Sequence, residues 1–451
     1  MNTKYFYWIA IASFIMGCAP KQENSKVKLM TLDPGHFHAA LIQKTSYEDI
    51  VTTIDVYAPE GPEVKDFLNK IEAYNNRAEE PTNWIVKTHL SEDYLKKMIA
   101  EKPGNVMVVS GKNSKKIDYI LAAVNAGLNV YADKPLVVNQ KGFEKLKKVF
   151  EIAKEKNLLV YDIMTERFEV TTGLQKALSM QPEVFGVLLD GSVSEPSISK
   201  ESIHHLSKIV SGKPLVRPAW FLDTNQQGEG IVDVTTHLVD LIQWEAFPGQ
   251  IIDSSEIEII SSKRWTTNLA PDQFKNITHL ANYPKYLQKD VKSDTLRINC
   301  NGEINYTIKG KHAKVSVIWN YKAPEGTGDT HQSTMRGSKA DLIIKQGETE
   351  NFKPTLYVRS KEDGNFESTL KQSLKSLQGD YPGVSIDKIS DSKWKIVIPE
   401  ILKIGHEAHF GQVTGNFLKY YKKGKLPDWE IPNMITKYYT TTQAYKKAIE
   451  K

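Results

Sequence analysis

Two short segments, about a hundred residues apart, hold side chains suited to moving protons. The first is Ala132-Asp133-Lys134-Pro135-Leu136, where an apolar run ends in a lysine whose backbone the following proline holds extended. The second runs from Gly228 through Gly230, Asp233 and His237 to Asp240 and reads as a glycine turn feeding a helix. Asp233 and His237 stand four residues apart and so share one helix face. Together the segments offer an ammonium, an imidazole and a carboxylate, the set that proton transfer at an alcohol or ketone needs. The plainer readings are a surface lysine at a strand end and a core histidine satisfied by a neighbour. Asp233, His237 and Asp240 could also line a metal site, but no cysteine or second histidine lies near them in sequence, so no metal is expected there.

Two further clusters, Gly328-Asp329-Thr330-His331 and Gly405-His406-Glu407-Ala408-His409, have enough polar groups to line a cleft. The second is not the zinc motif H-E-x-x-H, because its histidines are three apart. Trp220 and Arg217 would either form a platform for stacking a sugar or pack a loop.

The elements that must position these groups alternate at first between strand and helix. Strand signals fall at 27–32, 50–57, 84–87, 105–110, 128–131 and 158–161, with helical runs at 36–45, 91–101, 114–126 and 140–156. That alternation implies a parallel, doubly wound sheet, which binds ligands at the carboxyl ends of its strands. Beyond Arg167 longer strands are expected at 185–192, 297–300, 303–308, 313–319 and 340–344, several alternating as antiparallel strands do. A helix at 231–247, a strand at 394–398 and helices near 405–420 and 434–449 complete the reading.

At 451 residues, 40% hydrophobic and 25% charged, the chain has the composition of a soluble globular protein of two or three domains. Its net charge of +5 is spread over 59 basic and 54 acidic residues with no basic arm or RNA-binding motif, which argues against nucleic acid as a partner. Residues 1–18 read as an address: Lys4, an apolar core from Tyr5 to Ile15, then Met16-Gly17-Cys18. The ending is similar to a bacterial lipobox, so Cys18 is expected to carry a lipid, with 19–26 as a tether and the outer membrane as the destination. A plain secretory signal is the alternative. Cys300 is then alone, so no internal disulfide is expected.

From about Val27 to Ile344 the chain resembles the Gfo/Idh/MocA family of nicotinamide-dependent oxidoreductases. Asp133-Lys134-Pro135 stands for the family's glutamate-lysine-proline. Gly228, Gly230, Asp233, His237 and Asp240 match its second motif, Arg167-Phe168 its arginine-phenylalanine pair, and 337–340 a late turn. The resemblance implies an α/β protein: a Rossmann-type domain over 27–165 and a C-terminal α+β domain over 166–451 with a large open, mostly antiparallel sheet. It implies NAD, tightly held given an exported location, and a carbohydrate or polyol substrate. Lys134 would lie between nicotinamide and substrate, with His237 as acid/base and Asp233 orienting it. Gly35, His36, His38, Glu60, Ser110, Asn113, Asp133 and Pro135 would join Lys134 around the cofactor, and Arg167, Trp220, Asp240 and His331 would meet the substrate. The cofactor turn departs most: Asp33-Pro34-Gly35-His36-Phe37-His38 keeps only the middle glycine of G-x-G-x-x-G. Lys116 also stands where the family places a histidine. Three functions remain open: an NAD-dependent oxidoreductase, an NAD-dependent glycosidase acting by transient oxidation and elimination, and a sugar-binding lipoprotein with a degenerate cofactor site. A homo-oligomer packed through the C-terminal sheet is compatible with each.

Overall fold

The computed structural model describes residues 26–210, 213–362 and 364–450, so the expected signal segment and Cys18 lie outside the described residues. The first half forms β1 (Leu29–Leu32), α1 (His38–Leu41), β2 (Thr53–Ala58), α2 (Pro62–Asn76), β3 (Ile85–Leu90), α3 (Tyr94–Glu101), β4 (Val106–Val109), α4 (Asn113–Asn125), β5 (Asn129–Asp133), α5 (Gln140–Glu155) and β6 (Val160–Ile163). The six strands pair in parallel in the order β3-β2-β1-β4-β5-β6. Strands β1, β4 and β6 are buried along their whole length; β4 is an unbroken apolar run, while β1 and β6 carry one polar residue each, Thr31 and Asp162. The strand order reverses between β1 and β4, so the crevice at their carboxyl ends is the expected ligand position.

After α6 (Val170–Ser179) comes β7 (Ile198–Ser207), then the short ribbon β8 (Ile209–Val210) and β9 (Lys213–Pro214), α7 (Thr224–Gln227) and α8 (Thr235–Ala246). The chain continues through β10 (Ile257–Leu269), α9 (Pro271–Thr278), β11 (Val291–Lys292), β12 (Thr295–Ile308), β13 (Lys311–Lys322), β14 (Thr330–Arg336), β15 (Ala340–Lys345) and β16 (Thr355–Ser360). It ends with α10 (Phe366–Ser376), β17 (Ser385–Ser390), β18 (Lys393–Val397), α11 (His406–Lys423) and α12 (Glu430–Ile449). The second sheet runs β10-β12-β13-β7-β14-β15-β16-β18-β17, antiparallel except where β7 meets β13.

Two expectations needed correction. The run 185–192 is not a strand; it makes isolated bridges at Leu188 and Gly191 only. The strand in that region is β7, hidden in the sequence by Lys200, which is fully buried and 2.8 Å from the equally buried Glu245 on α8. Nor do all the residues beyond 165 stay with the second sheet. Phe410, Val413 and Phe417 of α11 belong to the core of the first sheet, with the Phe417 ring 4.6 Å from Tyr131.

The glycine motif earns its place by close packing. A Cβ on Gly230 would lie 1.7 Å from the carbonyl oxygen of Cys300 in β12, and Gly228 has φ +91°. The turn before α8 therefore sits directly on the second sheet, and this aims Asp233 and His237 at the crevice of the first.

Candidate active site

Lys134 follows β5 directly, joined to Pro135 by a cis peptide bond. Its loop is held from below: the Lys116 ammonium, fully buried on α4, donates to the carbonyls of Asp133 (2.6 Å) and Pro135 (3.1 Å) and to Asn113 Oδ1 (2.8 Å). The position where the family resemblance led us to expect a histidine thus anchors the lysine loop. Lys134 Nζ donates to Asp233 Oδ1 at 2.8 Å, and Gln227 Nε2 donates to Asp233 Oδ2 at 3.0 Å. The two segments singled out in the sequence therefore meet across the domain junction.

His237 lies one turn beyond Asp233. Burial, and then the Lys134 ammonium, push its imidazole down to about 3, so the ring is neutral. Its Nδ1 is buried and has no hydrogen-bond partner. Around it stand groups the sequence did not single out or left open. Glu166 lies 3.3 Å from His406, and its carboxyl stays low against the pull of burial chiefly through its hydrogen bond to that ring. His331 is likewise pushed down to about 3, chiefly by burial. Glu166 directly precedes the Arg167-Phe168 pair, and that adjacency was the one signal available for it.

Arg167 and Asp240 need correcting as substrate residues. The Arg167 guanidinium donates to both Asp240 oxygens at 2.7 Å and to Glu430 at 2.9 and 3.0 Å, and Lys437 reaches Asp240 at 2.8 Å. These charges satisfy one another beneath the site. Trp220 also needs correcting, because at 4% exposure it offers no face to a sugar and lies over the turn after β1. Arg217 is held by the carbonyls of His205 and Leu206 and packs a loop. Glu60 is exposed just past β2.

A dinucleotide laid across the β1–α1 turn needs free main-chain N–H groups and open space above the glycine. Here the N–H groups of Gly35 and His36 both donate to the Ser110 carbonyl, at 3.1 and 3.3 Å. A Cβ on Gly35 would be in contact with Trp220 at 3.4 Å and with Gly111 at 3.5 Å. The Asp33 carboxylate accepts from Tyr119 at 2.8 Å. The cavity bounded by His36, His38, Gly111, Asn113, Asp133, Lys134, Gln227 and Asp233 is about 20 Å³, room for one water. In this arrangement the N–H groups of the turn and the side chains expected around the cofactor are engaged within the protein. Ser110 Oγ donates to Asp133 at 2.9 Å, Asn113 Nδ2 donates to the Gln227 carbonyl at 2.7 Å, and His38 pairs with Asp133 at 3.1 Å.

Comparison with known proteins supplies the lineage. Residues 174–449 match the family model described as "Putative oxidoreductase C terminal domain". A crystal structure described as a putative oxidoreductase from Parabacteroides merdae is 55% identical, with a TM-score of 0.92 over 94% of this chain and 98% of that one. Levoglucosan dehydrogenase in complex with NADH and levoglucosan has a TM-score of 0.60 at 12% identity, covering 94% of this chain and 97% of that one. A 3-ketoreductase from Actinomadura kijaniata in complex with NADP has a TM-score of 0.58 at 12% identity, covering 94% and 98%. At such identity these two show a shared fold. No curated protein matches the sequence.

Proposed function

Since the chain belongs to the Gfo/Idh/MocA family of oxidoreductases, we propose that it is an enzyme of the cell envelope that moves a proton at an oxygen-bearing carbon of a carbohydrate or polyol. The observation that carries this is the junction of Lys134, Asp233 and His237. Lys134, held at 2.8 Å by Asp233, presents an ammonium that can donate to a hydroxyl or carbonyl oxygen. His237 is a neutral imidazole whose Nδ1 has no partner within the protein, which leaves that nitrogen for a hydrogen bond to a substrate hydroxyl. Proteins of this fold include a levoglucosan dehydrogenase with NADH and levoglucosan and a 3-ketoreductase with NADP and TDP-benzene, which supports a carbohydrate and a nicotinamide for this chain. The closed turn at Gly35 stands against the nicotinamide, so no hydride step is assigned. A second reading, a sugar-binding protein with a degenerate cofactor site, draws its support from that same closure.

The test has two parts on the purified mature protein. Denaturation followed by absorbance and mass spectrometry looks for released NAD(H) or NADP(H). Incubation of ketoses and polyols in D₂O, followed by NMR, looks for exchange at carbon next to oxygen. Lys134→Ala and His237→Ala should each lower exchange by about 10²-fold or more, with melting temperatures near wild type. Stoichiometric nucleotide would restore the redox reading. No nucleotide and no exchange across the panel would leave the binding protein.

A further inference from the structure

We propose that His36, His38 and Asp133 form a site for a divalent first-row transition-metal ion such as Zn²⁺. One ring nitrogen of each histidine and a carboxylate oxygen of Asp133 converge within 4.8 Å of one another. His38 Nδ1 lies 3.1 Å and His36 Nδ1 3.8 Å from the same oxygen, Asp133 Oδ2. Ligand atoms about 2.0–2.1 Å from a tetrahedral ion are separated by about 3.4 Å, midway between those two distances.

The main-chain N–H of His38 donates to His36 Nδ1 at 3.3 Å, so the His36 proton belongs on Nε2 and a metal ion would take over the Nδ1 lone pair that this bond uses. The three side chains are 19%, 12% and 7% exposed, so water competes weakly for their donor atoms.

The same side chains border a cavity. The cavity of about 20 Å³ bounded by His36, His38 and Asp133 is otherwise bounded by Gly111, Asn113, Gln227, Lys134 and Asp233, and holds one water-sized group. Three protein ligands and one open position toward such a cavity make a catalytic type of site, with two imidazoles and one carboxylate as donors. The outer shell is in place: Ser110 Oγ orients Asp133 at 2.9 Å, and Lys116 fixes the main-chain carbonyls of Asp133 and Pro135. Asp233 balances the nearby Lys134 charge. The His-x-His turn thus replaces the glycines that a pyrophosphate would need.

The site stands on this geometry whether or not the proton-transfer reading holds, and its test needs no turnover. The mature chain, dialysed against chelator and then desalted, is titrated with Co²⁺ and with Zn²⁺. We expect one equivalent per chain, visible d–d bands for cobalt, and a raised melting temperature with zinc. His38→Ala and Asp133→Asn should each weaken binding by more than about 100-fold, while Glu60→Gln should bind as wild type. Anomalous scattering at the zinc edge from wild-type crystals locates the ion without relying on any variant. An ion between the three side chains supports the site. No cobalt bands, an ion elsewhere, or undiminished binding in the His36→Ala/His38→Ala double variant would overturn it.

Discussion

His237 is held neutral where an ordinary histidine would begin to charge, and this has a thermodynamic signature. Its folded value is about 3 against 6.5 in the unfolded chain, lowered first by burial and then by Lys134. As pH falls below about 6.5 the unfolded chain takes up a proton that the folded chain refuses, so the unfolded state is favoured. Stability is complete above that value and declines toward pH 3, with a slope from this group of up to about 1.4 kcal/mol per pH unit. His237→Gln should have a shallower acid limb by about one proton, read from urea midpoints measured across that window; equal slopes would mean that the folded protein protonates this ring. A steric residue gives a second expectation. Gly230→Ala places a methyl 1.7 Å from the Cys300 carbonyl oxygen and should cost roughly 3 kcal/mol or more, since β12 would have to move. Thermal melting checks it, and an unchanged midpoint would mean the turn is free to lift. Lys134, Asp233 and His237 were legible in the sequence because proline, glycine and helical spacing mark them. Glu166 and Gln227 were not, because what brings them to the site is contact across the domain junction, and no spacing records that.

Among the elements, the parallel strands were readable because burial on both faces leaves apolar runs, while β7 was not. Its burial comes partly from a charged pair, and a buried lysine looks like a solvent-facing one in sequence. Lys200 Nζ lies 2.8 Å from Glu245 and also donates to Ser333 Oγ at 2.9 Å, so the ammonium is well provided for. Removing one partner of such a pair is worse than removing both. Lys200→Met leaves Glu245 buried without its cation and should cost about 3–5 kcal/mol, whereas Lys200→Met/Glu245→Leu should recover much of that loss. Urea denaturation of the single and double variants gives the coupling; additive losses would show that the two charges act independently. The same reasoning explains why Trp220 read as a possible platform. An aromatic beside Arg217 is compatible with a sugar or with a loop, and only its position over Gly35 distinguishes them.

At the scale of the whole molecule, the last fifty or so residues close the structure on both sheets. Helix α11 lends Phe410, Val413 and Phe417 to the first sheet's core, and α12 packs along α8 and β10 of the second. Between them runs a buried network. Arg167, past the end of β6, binds Asp240 on α8 and Glu430 on α12, while Lys437 on α12 binds Asp240 and Asp162 at 2.8 Å each. A family resemblance ending near residue 344 gave no hint of this, because the contacts made by Glu430 and Lys437 join segments more than 190 positions apart. The two sheets should therefore unfold together, since neither has a complete core without the C-terminal helices. A chain ending at Ile404 loses the three apolar side chains of α11 and both the Glu430 and Lys437 partners of the network. Asp162 and Asp240 then lose the Lys437 cation, though Arg167 still pairs with Asp240. We expect such a chain to lose hydrogen-exchange protection in β5 and β6 of the first sheet as well as in α8. Full-length protein should show one cooperative transition, with tryptophan fluorescence and far-UV circular dichroism coinciding. Retained protection of β5 and β6 in the shortened chain would mean that the first sheet folds on its own and that α11 only covers it.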